Sequence, residues 1–201
     1  MGSRRAKPGS ARGRVTPPPA EKSSSYTAAV ELRDGDLVLR PWTEDDIDAI
    51  VAGCNDPVVA RWIPTIPHPY TAEHARAFLK GETAPADYRL AIEVSAAVVG
   101  GIGMTVNQHD YRGRIGYWVA APARGQGVCT RALRALARYG HDELVLQRLD
   151  LITDPDNVAS QRVAEKVGFQ REGTLRAHLR HSDGRIRDSV MFSLLPGELR
   201  E

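Results

Sequence analysis

Apolar residues recur along the chain with two periods, and the switches between them outline its elements. Glu31-Leu32-Arg33 and Asp36-Leu37-Val38-Leu39-Arg40 flank Asp34-Gly35, the strongest short hairpin signal, so two short strands are predicted. Ile47, Ile50, Val51 and Cys54 then repeat at helical spacing behind Thr43 and Asp46, which stand as in a capping box, and predict a helix over about 44–54. Asn55-Asp56-Pro57 breaks it and restarts a short helix carrying Val58, Val59 and Trp62. A Pro-rich bend over 63–70 leads to Thr71, the N-cap of a helix that packs Ala75, Phe78 and Leu79.

Tyr88, Leu90, Ile92 and Val94 alternate, and an apolar run follows to Met104, predicting two adjacent antiparallel strands. Ile115 to Val119 is a further strand, ended by Pro122. Gly125 and Gly127 then form a loop, after which Val128, Ala132, Leu133, Leu136 and Ala137 mark a helix to about residue 140. Arg148 to Thr153 reads as a strand. Asp154-Pro155-Asp156-Asn157 turns into a helix over 158–167, stopped by Gly168. The final hairpin, 169–181 and 185–195, turns at Ser182-Asp183-Gly184. This order describes one mixed α/β (α+β) domain over 30–201. Residues 1–29 are rich in Pro, Ser, Ala and Arg without either period, the composition of a disordered tail.

With 201 residues, 42% of them hydrophobic, the chain can bury a conventional core. Its 27 basic and 25 acidic residues are unevenly placed, because six of the former and one of the latter precede Ser23. A basic tail therefore precedes a mildly acidic body, which offers no nucleic-acid surface and suits cationic substrates. No apolar run reaches membrane-spanning or signal-peptide length, so no membrane partner and a cytoplasmic location are expected. Cys54 and Cys129 sit on separate predicted elements without ligand spacing, and the six histidines form no metal pair, so neither disulfide nor metal is expected.

Chemistry concentrates after the strand at 115–119. A glycine loop feeding a helix start leaves backbone N–H groups unpaired at the positive end of the helix dipole, a geometry that binds phosphates, and Arg124 adds positive charge. A P-loop would need Lys-Ser/Thr where Val128-Cys129 stand, and a dinucleotide fingerprint would need glycine or alanine at Thr130. What remains, Arg-x-x-Gly-x-small from Arg124 to Cys129 behind Gly-Tyr-Trp-Val, resembles the acetyl-CoA pyrophosphate loop of the GNAT N-acetyltransferase superfamily; the family has Gly or Ala where Cys129 stands. A second signature, Asn157-x-x-Ser160 with Val163-x-Glu-Lys-x-Gly168-Phe169 and Glu172-Gly173, resembles the RimJ/RimL-like branch of ribosomal-protein N-terminal acetyltransferases. Leu39-Arg40-Pro41-Trp42, Asp45-Asp46 and Asp188 before Ser193-Leu194-Leu195 look like the same branch, so the resemblance spans roughly 31–196.

The resemblance implies a GNAT fold: a mostly antiparallel twisted sheet of about seven strands, flanked by about four helices. Its sheet is splayed between the strands at 115–119 and 148–153, counted four and five. It implies acyl transfer from acetyl-CoA directly to a primary amine. Backbone groups of Trp118 and Val119 would hold the pantetheine arm, and Arg124, Gly125, Gln126, Gly127, Val128, Cys129 and Thr130 the pyrophosphate, with Asn157 and Ser160 on the cofactor side. Cys129 is then no nucleophile. Many superfamily members carry a tyrosine where Ala164 stands, which leaves Ser160 as the donor to the departing thiolate. His178, on the penultimate strand, is the candidate general base, an imidazole being suited to proton transfer near neutral pH; an exposed histidine is the plainer account. Asp188 and Glu172 are further candidates with structural roles as the alternative. Arg114 replaces a commonly acidic residue. The acceptor is expected to be a protein N-terminal α-amine or a small-molecule amine, with a lysine side chain third, and a homodimer is an option. The alternatives are a non-catalytic acyl-CoA-binding domain, or an acyltransferase using another acyl-CoA.

Overall fold

The computed structural model describes residues 30–63, 65–83, 86–180 and 184–201. The expected tail over 1–29, Pro64 of the bend, and Ser182 and Asp183 of the last turn lie outside them.

The hairpin signal at Asp34-Gly35 produces β1 (Leu32–Asp34) and β2 (Leu37–Pro41), with Gly35 at φ +62° in the turn. The Asp46 carboxylate then accepts from the backbone N–H and the hydroxyl of Thr43, opening a 3-10 turn that runs into α1 (Ile47–Cys54). Asp56 caps α2 (Pro57–Trp62) by accepting from the N–H groups of Val58 and Val59, and Thr71 caps α3 (Ala72–Leu79). β3 (Tyr88–Val94), β4 (Ala97–Asn107) and β5 (Arg112–Val119) follow as a meander. α4 (Val128–Asp142) returns the chain to β6 (Arg148–Thr153), and α5 (Val158–Val167), closed by Gly168 at φ +110°, leads to β7 (Gln170–Arg180) and β8 (Ile186–Leu194).

Among the described residues, all eight strands join one sheet in the order β1-β2-β3-β4-β5-β6-β8-β7, antiparallel except for β5 with β6. The eight strands and five helices among the described residues agree with the expected counts of about seven and about four, and the six-residue α2 is the short helix expected after Asn55-Asp56-Pro57. α4 packs Ala132, Leu133, Leu136 and Ala137 onto Leu37, Leu39, Met104 and Ile115 of the sheet. Burying side chains such as Leu133 and Leu136 contributes about 1.5–3 kcal/mol each. A smaller core of Ile50, Cys54, Tyr70 and Ala75 lies under α1 and α3.

The parallel pair is pinned at its start by charge. Buried Asp150 accepts from Arg112 at 2.6 Å and Arg148 at 2.7 Å, and Arg148 also grips Glu172 of β7 with two 2.7 Å bonds. This network fixes the register of β5, β6 and β7 at one end. The other end is free to part.

Candidate active site

β5 and β6 pair only from Arg112–Arg148 to Ile115–Leu151, yet β5 continues to Val119 and β6 to Thr153. Beyond Ile115 the two strands therefore diverge, and each presents an unpaired ladder edge to a V-shaped gap. Such edges must find hydrogen-bond partners, and an extended chain with amide groups can supply them. A Cβ built on Gly116 would meet nothing within 4 Å, so one sheet face beside the gap is uncovered.

Strand alternation sends Trp118 and Tyr117 to opposite faces. Trp118 stacks on Trp42 at 6.3 Å between centroids and fills the space over Gly53 of α1, where a Cβ would lie 2.1 Å from the indole. The Trp118 side chain is thus a packing anchor between β5 and α1. Tyr117 reaches the other way, to α5.

At the wide end of the gap, Ala121–Ala123 form a 3-10 turn and Arg124 leads into the loop. Gly125 and Gly127 sit at φ +76° and +78°, where an L side chain is strained, and a Cβ on either would meet nothing within 4 Å. Gly127 caps α4 without a side chain, and the first helical bond runs from Arg131 to Gly127, so among the described residues the N–H groups of Val128, Cys129 and Thr130 have no backbone acceptor. A 15-residue helix aims its dipole at that spot. The loop and gap together fit a pyrophosphate followed by an extended amide-bearing arm.

Two expected ligands are engaged elsewhere. Arg124 donates Nε to the Val119 carbonyl at 3.0 Å and pairs with Asp56 at 2.7 Å, and the Gln126 amide folds back onto the Pro122 carbonyl at 2.7 Å. Arg124 thereby ties the loop to the head of α2. On the far side of the gap, partly buried Arg187 of β8 pairs with Asp154 and reaches the Trp62 carbonyl at the foot of α2 at 3.5 Å. α2 is consequently reached by one arginine at each end.

Cys129 is half-buried, and burial pushes its thiol up to about 12, so no thiolate forms near neutrality. Asn157 caps α5, its side-chain oxygen accepting from the Ser160 N–H at 3.1 Å. Ser160 Oγ lies 3.0 Å from the Tyr117 hydroxyl. Burial raises the Tyr117 pKa above its ordinary value, opposed by the Ser160 bond, and keeps the phenol protonated.

His178 stands in a bulge of β7: Leu175 pairs with Ser189 and Leu179 with Arg187, leaving three residues opposite Asp188. The Asp188 carboxylate accepts from the N–H of Ala177, which is held at φ +51°, and His178 Nδ1 lies 3.0 Å from buried Ser189 Oγ. Asp188 is thus engaged in the bulge. Glu172 is ion-paired and accepts from Ser193, contacts that hold its carboxyl down to about 2 and make it a poor base. His178 lies on the edge strand β7 with β8 between it and β6, so register sets Ser189, one residue beyond the Thr153–Val190 pair, nearer the gap than His178 itself.

Tyr117, Arg187, Asp154 and Asp56 were absent from the sequence-derived site. Strand alternation alone separates Tyr117 from Trp118, but nothing local announces ion pairs bridging 33 and 68 residues.

A twisted mixed sheet split beside an open helix N-terminus defines a protein that holds an acyl-CoA-like donor. Residues 36–170 match the acetyltransferase (GNAT) domain model. The chain is 28% identical, over 81% of its length and 94% of the relative's, to the uncharacterized N-acetyltransferase p20 of Bacillus licheniformis. Over 46% of its length, and 50% of the relative's, it is 37% identical to the putative ribosomal N-acetyltransferase YdaF of Bacillus subtilis. The structure of Mycobacterium smegmatis RimJ in complex with CoA-disulfide superposes with a TM-score of 0.74 at 25% identity, covering 86% of this chain and 88% of that one. The chain belongs to the GNAT acetyltransferase family, in its RimJ/RimL-like branch, and is an acetyltransferase.

Proposed function

We propose that the chain transfers the acetyl group of acetyl-CoA directly to a primary amine, with a protein N-terminal α-amine first and a small-molecule amine second. The observation that carries this is the conjunction of the unpaired α4 N-terminus with the gap beyond Ile115. The α4 N–H groups bind the pyrophosphate, the open edges of β5 and β6 bind the pantetheine amides, and the thioester is thereby delivered toward Ser160. Acetyl-CoA supplies an activated acyl group, and no covalent enzyme intermediate is needed.

The amine must arrive uncharged. At neutral pH that costs about 1 kcal/mol for an α-amine and about 4.5 kcal/mol for lysine, so the α-amine asks least of a base. His178, its ring fixed by Ser189, takes the remaining proton, while the Ser160 hydroxyl hydrogen-bonds the departing thiolate. The test is thiol release from acetyl-CoA over a panel of peptides with free N-termini, polyamines and other amines, with Ser160→Ala and His178→Ala alongside. Turnover with α-amines that drops in both variants is expected. Tight CoA binding without turnover on any acceptor would overturn the reading.

A further inference from the structure

Tyr117 projects from the open segment of β5 to α5, and it ends on the residue assigned to the leaving group. Its hydroxyl has two neighbours on Ser160, the Oγ at 3.0 Å and the backbone carbonyl at 3.3 Å. That carbonyl sits in the first turn of α5 and is already the acceptor for the helix's own ladder, so the Oγ is the better partner. α5 offers no second hydroxyl nearby, since Ala164, one turn on along the same face, is fully buried.

We propose that Tyr117 is the positioning residue for Ser160: its O–H donates to Ser160 Oγ, so that the single serine proton is directed outward to the leaving sulfur. The inference rests on the reading of Ser160 as thiolate donor. A serine hydroxyl has one proton and a rotor that would otherwise turn to any local acceptor, such as a carbonyl of the preceding turn. With the phenol as donor, the serine oxygen's inward lone pair is occupied and its proton is left for the substrate side. In the transfer the amine nitrogen bonds to the acyl carbon, the C–S bond breaks with its electron pair on sulfur, and the amine's proton goes to the base. Tyr117 keeps its own proton throughout. The raised pKa fits this, because the phenol stays a donor across the working pH range.

The experiment is a double-mutant cycle in the full chain with Tyr117→Phe, Ser160→Ala and both, reading kcat and KM for acetyl-CoA together with a thermal melt. Tyr117→Phe is expected to lower kcat about five- to tenfold with KM within about twofold, the loss of one aligned hydrogen bond. Ser160→Ala should lower kcat about 100-fold, and adding Tyr117→Phe to it should change nothing more. Wild-type kcat in Tyr117→Phe, a rise in KM instead, or an equal further loss in the Ser160→Ala background would each overturn the proposal. Wild-type kcat in Ser160→Ala would instead sink the Ser160 reading itself. If Tyr117→Phe melts early, kcat and KM are read well below its melting temperature, where a fall in kcat alone is expected and a wild-type kcat would overturn the proposal.

Discussion

Gly127 allows the phosphate loop to be tested without touching any charged group. It caps α4 at φ +78°, and a Cβ there would meet nothing within 4 Å, so alanine adds no clash and only the strain of its own left-handed backbone. That strain is about 1–2 kcal/mol. Alanine also restricts the unfolded chain, which returns about 0.4–1 kcal/mol to stability. In the ligand-free protein the loop can keep its shape and carry the strain, or relax and rebuild it on binding. The first lowers unfolding free energy by about 1 kcal/mol net; the second raises the Kd for CoA about 5- to 30-fold with little loss of stability. The two must be measured together, by urea unfolding of the ligand-free protein and calorimetric titration with CoA. Gly127→Ala should show the strain in one place or shared between both, with kcat at saturating acetyl-CoA within about twofold of wild type. Gly127→Asn should recover most of it, because asparagine tolerates the left-handed region. If the alanine variant shows neither loss, or asparagine behaves as badly as alanine, the loop does not bind pyrophosphate in the conformation described.

Burial pushes Cys54 up to about 11 and Cys129 up to about 12, so both thiols should resist Ellman's reagent at pH 8 until the protein unfolds, and Cys129→Ala should keep its activity; rapid labelling of the folded protein, or an inactive alanine variant, would contradict direct transfer. Asp56→Ala removes both the cap of α2 and the partner of Arg124, and should lower the melting temperature by about 3–8 °C for a loss of about 1–2 kcal/mol, whereas Asp56→Asn keeps the cap and should lose about half as much. An unchanged Asp56→Ala melt would mean α2 is not held there. Glu172 is held down to about 2 by Arg148 and Ser193, so its contribution is fully present above about pH 4.5 and is lost as pH falls toward 2. Being partly exposed, it should separate wild type from Glu172→Gln by no more than about 1 kcal/mol above pH 5, with the two urea curves converging in acid; a constant separation down to pH 2 would refute the pairing.

The backbone of the site was legible before any coordinates. Pro122, Gly125 and Gly127 mark the end of β5 and the start of α4 because each acts through its own φ, and Thr43, Asp56, Thr71 and Asn157 announce helix starts because capping is a contact over two or three residues. Side-chain roles were less legible. Arg124 carries the right charge at the right place, yet its guanidinium goes to Asp56, 68 residues away, and to the Val119 carbonyl. Charged residues are frequent enough that type alone cannot select such a partner. The bulge that seats His178 was also hidden: its left-handed residue is Ala177, which gives none of the warning that a glycine would.

Gly53 and Trp118 illustrate how one strand can constrain sequence drift on a helix packed against it. The indole occupies the place where residue 53 would carry its side chain, and it also lies against Gly101, where a Cβ would come within 2.8 Å of both Trp118 and Trp42. The three positions can therefore change only in a permitted order. An alanine at 53 becomes acceptable after the ring at 118 has shrunk, and a shrunken ring leaves two glycine-sized vacancies that later substitutions can fill. Among descendants of this chain, side-chain size at 53 and 101 should vary inversely with size at 118, a historical dependence written into the packing behind β5 rather than into its chemistry.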